Sequence, residues 1–359
     1  MTEQEALLVL NAVPELGAVR IRKLTAFFGS ALEVLRASID ELVQSNLVVS
    51  ATAQNIFHFS KDKFLQGEYN LMQRKGIVAL TDADDNFPCS LKEFGDAPVV
   101  LYVKGAINCF DQMPVALVGS RAASFHGLKS ARAFAQAFVK AGMTVVSGLA
   151  RGIDTAAHQG ALEGGGKTIA VIGCGFNYMY PKENSLLMEA ISRNGAVVSE
   201  FACSMPPLKQ NFPWRNRIIS ALSLATVVIE AGKKSGALIT ADYALAQNKD
   251  VFVLPSNIDN ETALGSNRLI QDGAYVALNP DDILFRIAEG FSPSYAEKPV
   301  LLLSDEQQKV YPHVTSQPVH LDELARQSGL SISSLMNIIL SLELKHVIRQ
   351  LPGQYYVRN

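Results

Sequence analysis

Val115-Ala116-Leu117-Val118-Gly119-Ser120-Arg121 opens a run in which apolar segments repeatedly end in small, hydroxylated or basic residues. Ser147-Gly148-Leu149-Ala150-Arg151-Gly152-Ile153-Asp154 and Phe212-Pro213-Trp214-Arg215-Asn216-Arg217 follow in the same style. Spacing predicts strands over 115–118, 143–146, 168–172, 196–199, 224–229, 251–254 and 274–278. Helices are predicted between them, over 125–141, 154–163, 184–193, 213–222, 236–248 and 266–271. Continuous Val/Ile/Leu strands alternating with helices imply an α/β fold, an extended Rossmann-like, doubly wound, mainly parallel sheet with helices on both faces. Ligands of such sheets collect outside the carboxyl ends of the strands, where glycines admit backbone N–H groups and helix N-termini favour anions. Three arginine-bearing strand endings in one domain point to a polyanion rather than a single small phosphate.

Outward from this core, residues 1–72 read as a small helical domain, with apolar spacing near 3.6 in Ala6 to Leu10, Ile21 to Phe28 and Leu32 to Leu35. Pro14-Glu15-Leu16-Gly17, with Phe28-Gly29-Ser30 closing the next helix, suits either a SAM- or helix-hairpin-helix-like module or a plain αα-corner. Ile77 to Leu80 and Val99 to Val103 read as two further strands, which places the α/β domain over 73–290. A linker is expected over 291–303, where Pro293 to Pro299 carries little apolar content. From 304 to 359 come a short helix from His320, a turn at Ser328-Gly329-Leu330, a second helix from Ser331 to about Leu344, and a hairpin turning at Pro352-Gly353. That order is a winged helix. Its longer helix offers little charge to a major groove: Lys345 and Arg349 lie at or past its end, and Glu343 repels phosphate. The apolar residues Leu335, Ile338, Ile339 and Leu342 suit a protein contact better than a DNA contact.

Length and composition agree with this division. The 359 residues exceed one usual core, and 48 % hydrophobic content suits packed globular units. Residues 1–12 carry Glu3 and Glu5 where a leader would be basic, and no apolar run reaches the ~18 residues that span a bilayer, so a cytoplasmic protein without membrane association is expected. Cys89, Cys109, Cys174 and Cys203 lie far apart without ligand spacing, which implies reduced thiols and no metal site. Net charge is −2, yet residues 115–275 hold 15 Lys/Arg against 11 Asp/Glu, an excess of four.

Several motifs approach an enzyme signature and stop short. Ala161 to Thr168 nearly spells a P-loop, but its glycines close a helix and Lys167-Thr168 opens a strand, the reverse of a phosphate loop. Gly173-Cys174-Gly175-Phe176 lacks the third glycine of a dinucleotide fingerprint. Asp154 and His158 stand one helical turn apart, but no nucleophile elbow accompanies them, so Asp154 reads as a helix N-cap and His158 as its hydrogen-bonded neighbour. Glu230, at the end of a strand, suits either a general base or an acceptor of the N–H groups of Gly232 to Gly236.

Val118 to Arg121 with Ser124, then Ser147 to Asp154 with His158 and Gly160-Ala161-Leu162, closely resemble the DNA processing protein A (DprA/Smf) family. Tyr180-Pro181, Ser199-Glu200, Phe212 to Ile219, Ser235 to Ala241 and Gly265 to Ile270 continue the resemblance in order over roughly 160 residues. It implies a non-enzymatic, homodimeric protein without a cofactor that binds single-stranded DNA during natural transformation and helps load the RecA recombinase. Single-stranded-DNA-binding protein is a further candidate partner. Carried across by position, Gly119, Ser120 and Arg121 would hold one phosphate at a helix N-terminus, and Arg151 and Gly152 another. Asn211, Phe212, Arg215 and Arg217 would line the same groove, with Phe176 offering a stacking face. Ser124, Ser147, Gly148, Gly173, Gly175, Lys182, Asn216, Ser235, Gly236 and Thr240 complete the implied contact set, and Asp154, His158 and Glu230 would orient the loops. A nucleotide-processing enzyme of the phosphoribohydrolase type and a winged-helix transcriptional regulator are the competing readings.

Overall fold

The computed structural model describes residues 1–106, 110, 113–287, 303–315, 317–344 and 347–358, so the expected linker lies almost entirely outside the described residues, as do Cys109 and Lys345. Two compact units divide at Pro293/Ser294.

In the first unit, nine strands form one sheet: β1 (Ile77–Thr81), β2 (Val100–Gly105), β3 (Pro114–Val118), β4 (Thr144–Ser147), β5 (Thr168–Val171), β6 (Ala196–Ser199), β7 (Ala225–Val228), β8 (Asp250–Val253) and β9 (Tyr275–Val276). Their order is β1-β2-β6-β5-β4-β3-β7-β8-β9. From β6 to β9 neighbours are parallel, while β2 runs antiparallel to both β1 and β6. The chain moves outward from β3 through β4, β5 and β6, then returns to place β7 on the other side of β3. That reversal is the topological switch point, where a doubly wound sheet opens a crevice at its carboxyl edge.

Helices α8 (Phe125–Lys140) and α9 (Ile153–Glu163) bury Phe134, Phe138, Ile153 and Ala157 against one part of the sheet. Ile218, Ile219 and Leu222 of α11 (Asn211–Leu222) and Ala237, Ala241 and Ala244 of α12 (Gly236–Ala246) enter a second core with β3, β6 and β7 residues. α11 starts two residues before the expected position, because Pro213 is tolerated in a first turn whose amides need no intrahelical partner. α12 stops two residues early, where Asn248 turns into the left-handed region at φ 55°.

The N-terminal helices α1 (Glu3–Ala12), α2 (Ala18–Phe28), α3 (Ala31–Arg36), α4 (Ile39–Gln44), α5 (Ser50–Phe57) and α6 (Lys61–Lys75) share one apolar core with β1, β2 and α10 (Ser185–Asn194). Polar ties reinforce it. Arg22 pairs with Asp82 and donates to the carbonyls of Ala97 and Pro98; Asn11 donates to Glu200 O at 2.8 Å; Glu68 Oε1 accepts Cys203 N–H at 2.6 Å. Cys174 and Cys203 are buried and Cys89 exposed, all as free thiols.

The second unit is a winged helix: α15 (Asp305–Val310), β10 (Val319–His320), α16 (Leu321–Ser328), α17 (Ile332–Leu344), β11 (Ile348–Leu351) and β12 (Tyr355–Arg358), with sheet order β10-β12-β11. Leu335, Ile338, Ile339 and Leu342 fill its own core, so they are unavailable for the protein contact expected of them. The large apolar α17 residues left outside are Ile332, Met336 and Leu340.

Candidate nucleic-acid interface

Loops from the carboxyl ends of β3, β4 and β7 meet the first turn of α11 around a cleft of ≈ 570 Å³. Its lining includes Gly119, Ser120, Arg121, Asp154, Phe212, Arg215, Asn216, Ser235, Gly236 and Thr240. Lys233, Lys234 and Glu261, which the sequence reading passed over, line it too.

Glu230 ties these loops together. Its carboxylate accepts the Ser124 N–H at 2.9 Å, the Ser124 hydroxyl and the Thr262 hydroxyl at 2.6 Å, and its backbone carbonyl accepts Ser120 N–H at 2.6 Å. Both carboxylate oxygens are thus used within the protein, and the donors are Ser124 and Thr262 rather than the amides of Gly232 to Gly236. Ser124 Oγ accepts Gly127 N–H at 3.0 Å and so caps α8. The α8 N-terminus therefore already holds a carboxylate, which satisfies its positive end. This corrects the expectation that Gly119, Ser120 and Arg121 place a phosphate on that terminus: they line the cleft beside it.

Gly152, at φ +75°, adopts a backbone conformation that side chains disfavour, and a Cβ there would strike the Ser120 carbonyl. It packs loop on loop. A Cβ on Gly148 would lie 2.7 Å from both Arg215 Nη2 and Asp154 Oδ2. Gly173 backs onto the Phe212 ring and Gly175 onto the carbonyls of Ala202 and Cys203, so all four serve close approach within the protein. Ser147 Oγ donates to Leu117 O at 2.7 Å in the interior, and Thr240 is buried at the cleft floor.

The four arginines fall into different environments. Arg215 is buried and donates to the carbonyls of Gly148, at 2.7 Å, and Val171, while burial pulls its guanidinium down to about 10. Burial also raises the pKa of the neighbouring Asp154, an effect that Arg215 opposes. Arg217 is 1 % exposed and grips Glu200 with two bonds, at 2.9 and 2.6 Å, below the Trp214 ring. A phosphate cannot reach it. Arg151 is exposed and paired with Glu183. Arg121 is exposed, lies 5.7 Å from the Phe212 ring centroid and has no carboxylate partner among the described residues.

Phe176 is only 3 % exposed, which removes it as a stacking face. An exposed ring lies elsewhere on the same loop: Tyr180, 41 % exposed, packs on Phe212 with centroids 5.1 Å apart. A Tyr four residues on from Phe176 was the signal in the sequence, and burial distinguishes the two rings. Lys182 is exposed in the following turn. Asn211 begins α11 with a buried side-chain Nδ2 that has no partner among the described residues, Asn216 donates to Gly236 O at 3.0 Å, and Ser235 caps α12 by accepting Ala237 N–H.

His158 does not meet Asp154. Its Nδ1 lies 2.7 Å from Thr168 Oγ1, whose single proton goes to Val145 O, so His158 Nδ1–H donates. Burial pushes the imidazole pKa down to about 3 and keeps it neutral. Asp154 is not the N-cap either. Gly152 holds that position, and Asp154 Oδ2 accepts Ala150 N–H at 3.3 Å. Among the described residues no helix is long and apolar enough to cross a membrane, and no cluster of metal-ligating side chains occurs.

The family model described as DNA recombination-mediator protein A matches residues 78–288, well over half of the chain. The chain belongs to that family. A second model, the DprA winged helix domain, matches residues 294–354. Protein Smf of Escherichia coli K12 is 38 % identical over 287 residues, covering 77 % of this chain and 76 % of its own. The crystal structure of DNA processing protein A from Streptococcus pneumoniae aligns with a TM-score of 0.69 at 35 % identity, covering 80 % of this chain and 98 % of that one. That of Helicobacter pylori, reported for its single-stranded DNA binding mode, aligns with a TM-score of 0.55 at 29 % identity, over 60 % and 97 %. This member is thus a DNA recombination protein with a Rossmann-like fold and a winged helix.

Proposed function

We propose that the chain binds single-stranded DNA in the cleft at the switch point, with little base preference, and helps load a RecA-type recombinase on it. Arg121 carries this reading. It is an exposed cation without a carboxylate partner among the described residues, set over Phe212, on which Tyr180 packs, in a cleft that Lys233 and Lys234 also line. Cations that follow a backbone beside aromatic rings suit strands of any sequence, because every base has a face to stack. The Helicobacter relative supports the choice of a single strand. The same reading makes the protein a cytoplasmic, non-catalytic homodimer, with single-stranded-DNA-binding protein as a further partner. Glu230, with both oxygens engaged, is a poor candidate for the base of a phosphoribohydrolase.

Fluorescence anisotropy with single-stranded and duplex DNA, run beside an assay for AMP hydrolysis, tests it. Tighter binding of single strands with no turnover is expected. Cleavage of AMP, or equal affinity for duplex, overturns the reading.

A further inference from the structure

A second hollow, of ≈ 410 Å³, lies over the antiparallel flank of the sheet, lined by Arg74 and Lys75 of α6, Lys104 of β2, and Tyr178, with Glu189 of α10 at its side. Lys104 is held by Glu189 at 2.6 Å. Arg74 and Lys75 have no carboxylate within ion-pair distance among the described residues, which leaves the hollow with two uncompensated cations. Cations in the last turn of a helix also offset its dipole, but that role does not call for an aromatic ring beside them. Tyr178 supplies one, 39 % exposed. Its loop is fixed from both sides: Tyr178 N–H donates to Gly175 O at 3.1 Å, and Asn177 N–H donates to Cys203 O at 2.9 Å.

The loop that carries Tyr178 also carries the ring that packs on the edge of the cleft. Tyr180, two residues beyond Tyr178, packs on Phe212, which lines the cleft. Two residues of chain span at most about 7 Å, so the backbone atoms that carry the two exposed rings lie within that distance of each other. We infer that Arg74, Lys75 and Tyr178 form a second subsite for the same single strand, which leaves the cleft over Tyr180 and is held on the flank by the end of α6. The inference rests on the single-strand reading above. It makes the N-terminal helices part of the DNA footprint and makes affinity depend on strand length.

The test compares oligothymidylates of about 6 and about 20 nucleotides, within and beyond one site size. Arg74→Ala/Lys75→Ala in the full chain should leave the short strand unaffected. For the long strand it should flatten the slope of log K against log salt by about 1.4, at about 0.7 per phosphate. Tyr178→Ala should weaken only the long strand, roughly 5- to 160-fold, with its slope kept. If the double variant leaves the long-strand slope and affinity unchanged while Arg121→Ala lowers both, the subsite is wrong and the cleft stands. If the unaltered protein prefers neither strand over duplex, both ideas fall. Should the alanine variant melt early, Arg74→Gln/Lys75→Gln is read in its place. Photocrosslinking of a long bromouracil strand to the unaltered protein needs no variant: capture at Tyr178 is expected, and capture at Tyr180 alone overturns the subsite.

Discussion

Arg217, with both terminal nitrogens on Glu200, and Arg121, open over Phe212, belong to one sequence pattern but do different work. Burial raises the pKa of Glu200, and Arg217 is what opposes that rise. Arg217→Ala leaves a buried carboxylate alone, an interaction whose loss typically costs about 3–5 kcal/mol. It should lower the melting temperature strongly and, in any protein that remains folded, leave the salt slope of single-strand binding unchanged. Arg121→Ala should do the opposite: flatten the slope by about 0.7 with the melting temperature kept, since an exposed cation–π contact is worth only ~0.5–1 kcal/mol. Melting and salt titration on both variants check this, and a flattened slope in Arg217→Ala would sink the assignment. Arg215 sits with Arg217 on the structural side, bonded to two backbone carbonyls.

A buried polar thread ties helix α9 to the sheet, from His158 through the Thr168 hydroxyl to the Val145 carbonyl, across β5 and β4. The imidazole pKa falls from 6.5 to about 3 on folding. Between those values the unfolded chain binds the proton and the folded one does not, so stability drops as pH falls from about 6.5 towards 3. His158→Gln keeps a donor for Thr168 and removes the titration. Relative to this variant, the unaltered protein should lose on the order of 2 kcal/mol between pH 7 and pH 5, at about 1.4 kcal/mol per unit below 6.5. Urea unfolding of both proteins at the two pH values measures it, and identical losses would refute the neutral buried imidazole. The element boundaries of the α/β domain were legible to within one or two residues, β9 included, although that strand shrinks to Tyr275–Val276. As an edge strand it pairs on one side alone, and its two residues are exposed.

The whole molecule holds two units with separate cores, and the cleft and the flank hollow belong to the first. A chain ending after Gly290 should therefore keep its fold and its affinity for single strands. Circular dichroism and anisotropy test this, and a folded truncation that no longer binds would move the DNA to the winged helix. That unit presents Ile332, Met336 and Leu340 rather than cations on the outer side of α17, as its sequence implied for DNA, whereas the four residues assigned to protein contact are its own core.

Strand and helix periodicity, glycine-bearing strand ends and the order of segments are local or additive along the chain, and they determined the doubly wound sheet, the winged helix and the position of the cleft. Which arginine meets solvent is not local. Arg121 and Arg217 differ because Glu200, distant from β3 in the sequence, is brought under α11 by the crossover, and because Trp214 closes over the pair. Likewise Gly148 and Gly152 carry the signature of phosphate approach, yet the atoms that approach them are protein atoms. Phe176 and Tyr180 both offer an aromatic face in sequence. Their fates were decided by the shared core of the N-terminal helices and β2, which swallows one ring and leaves the other on Phe212. Burial is a property of the assembled layers, and a charge or a ring acquires its role only when those layers have decided what surrounds it.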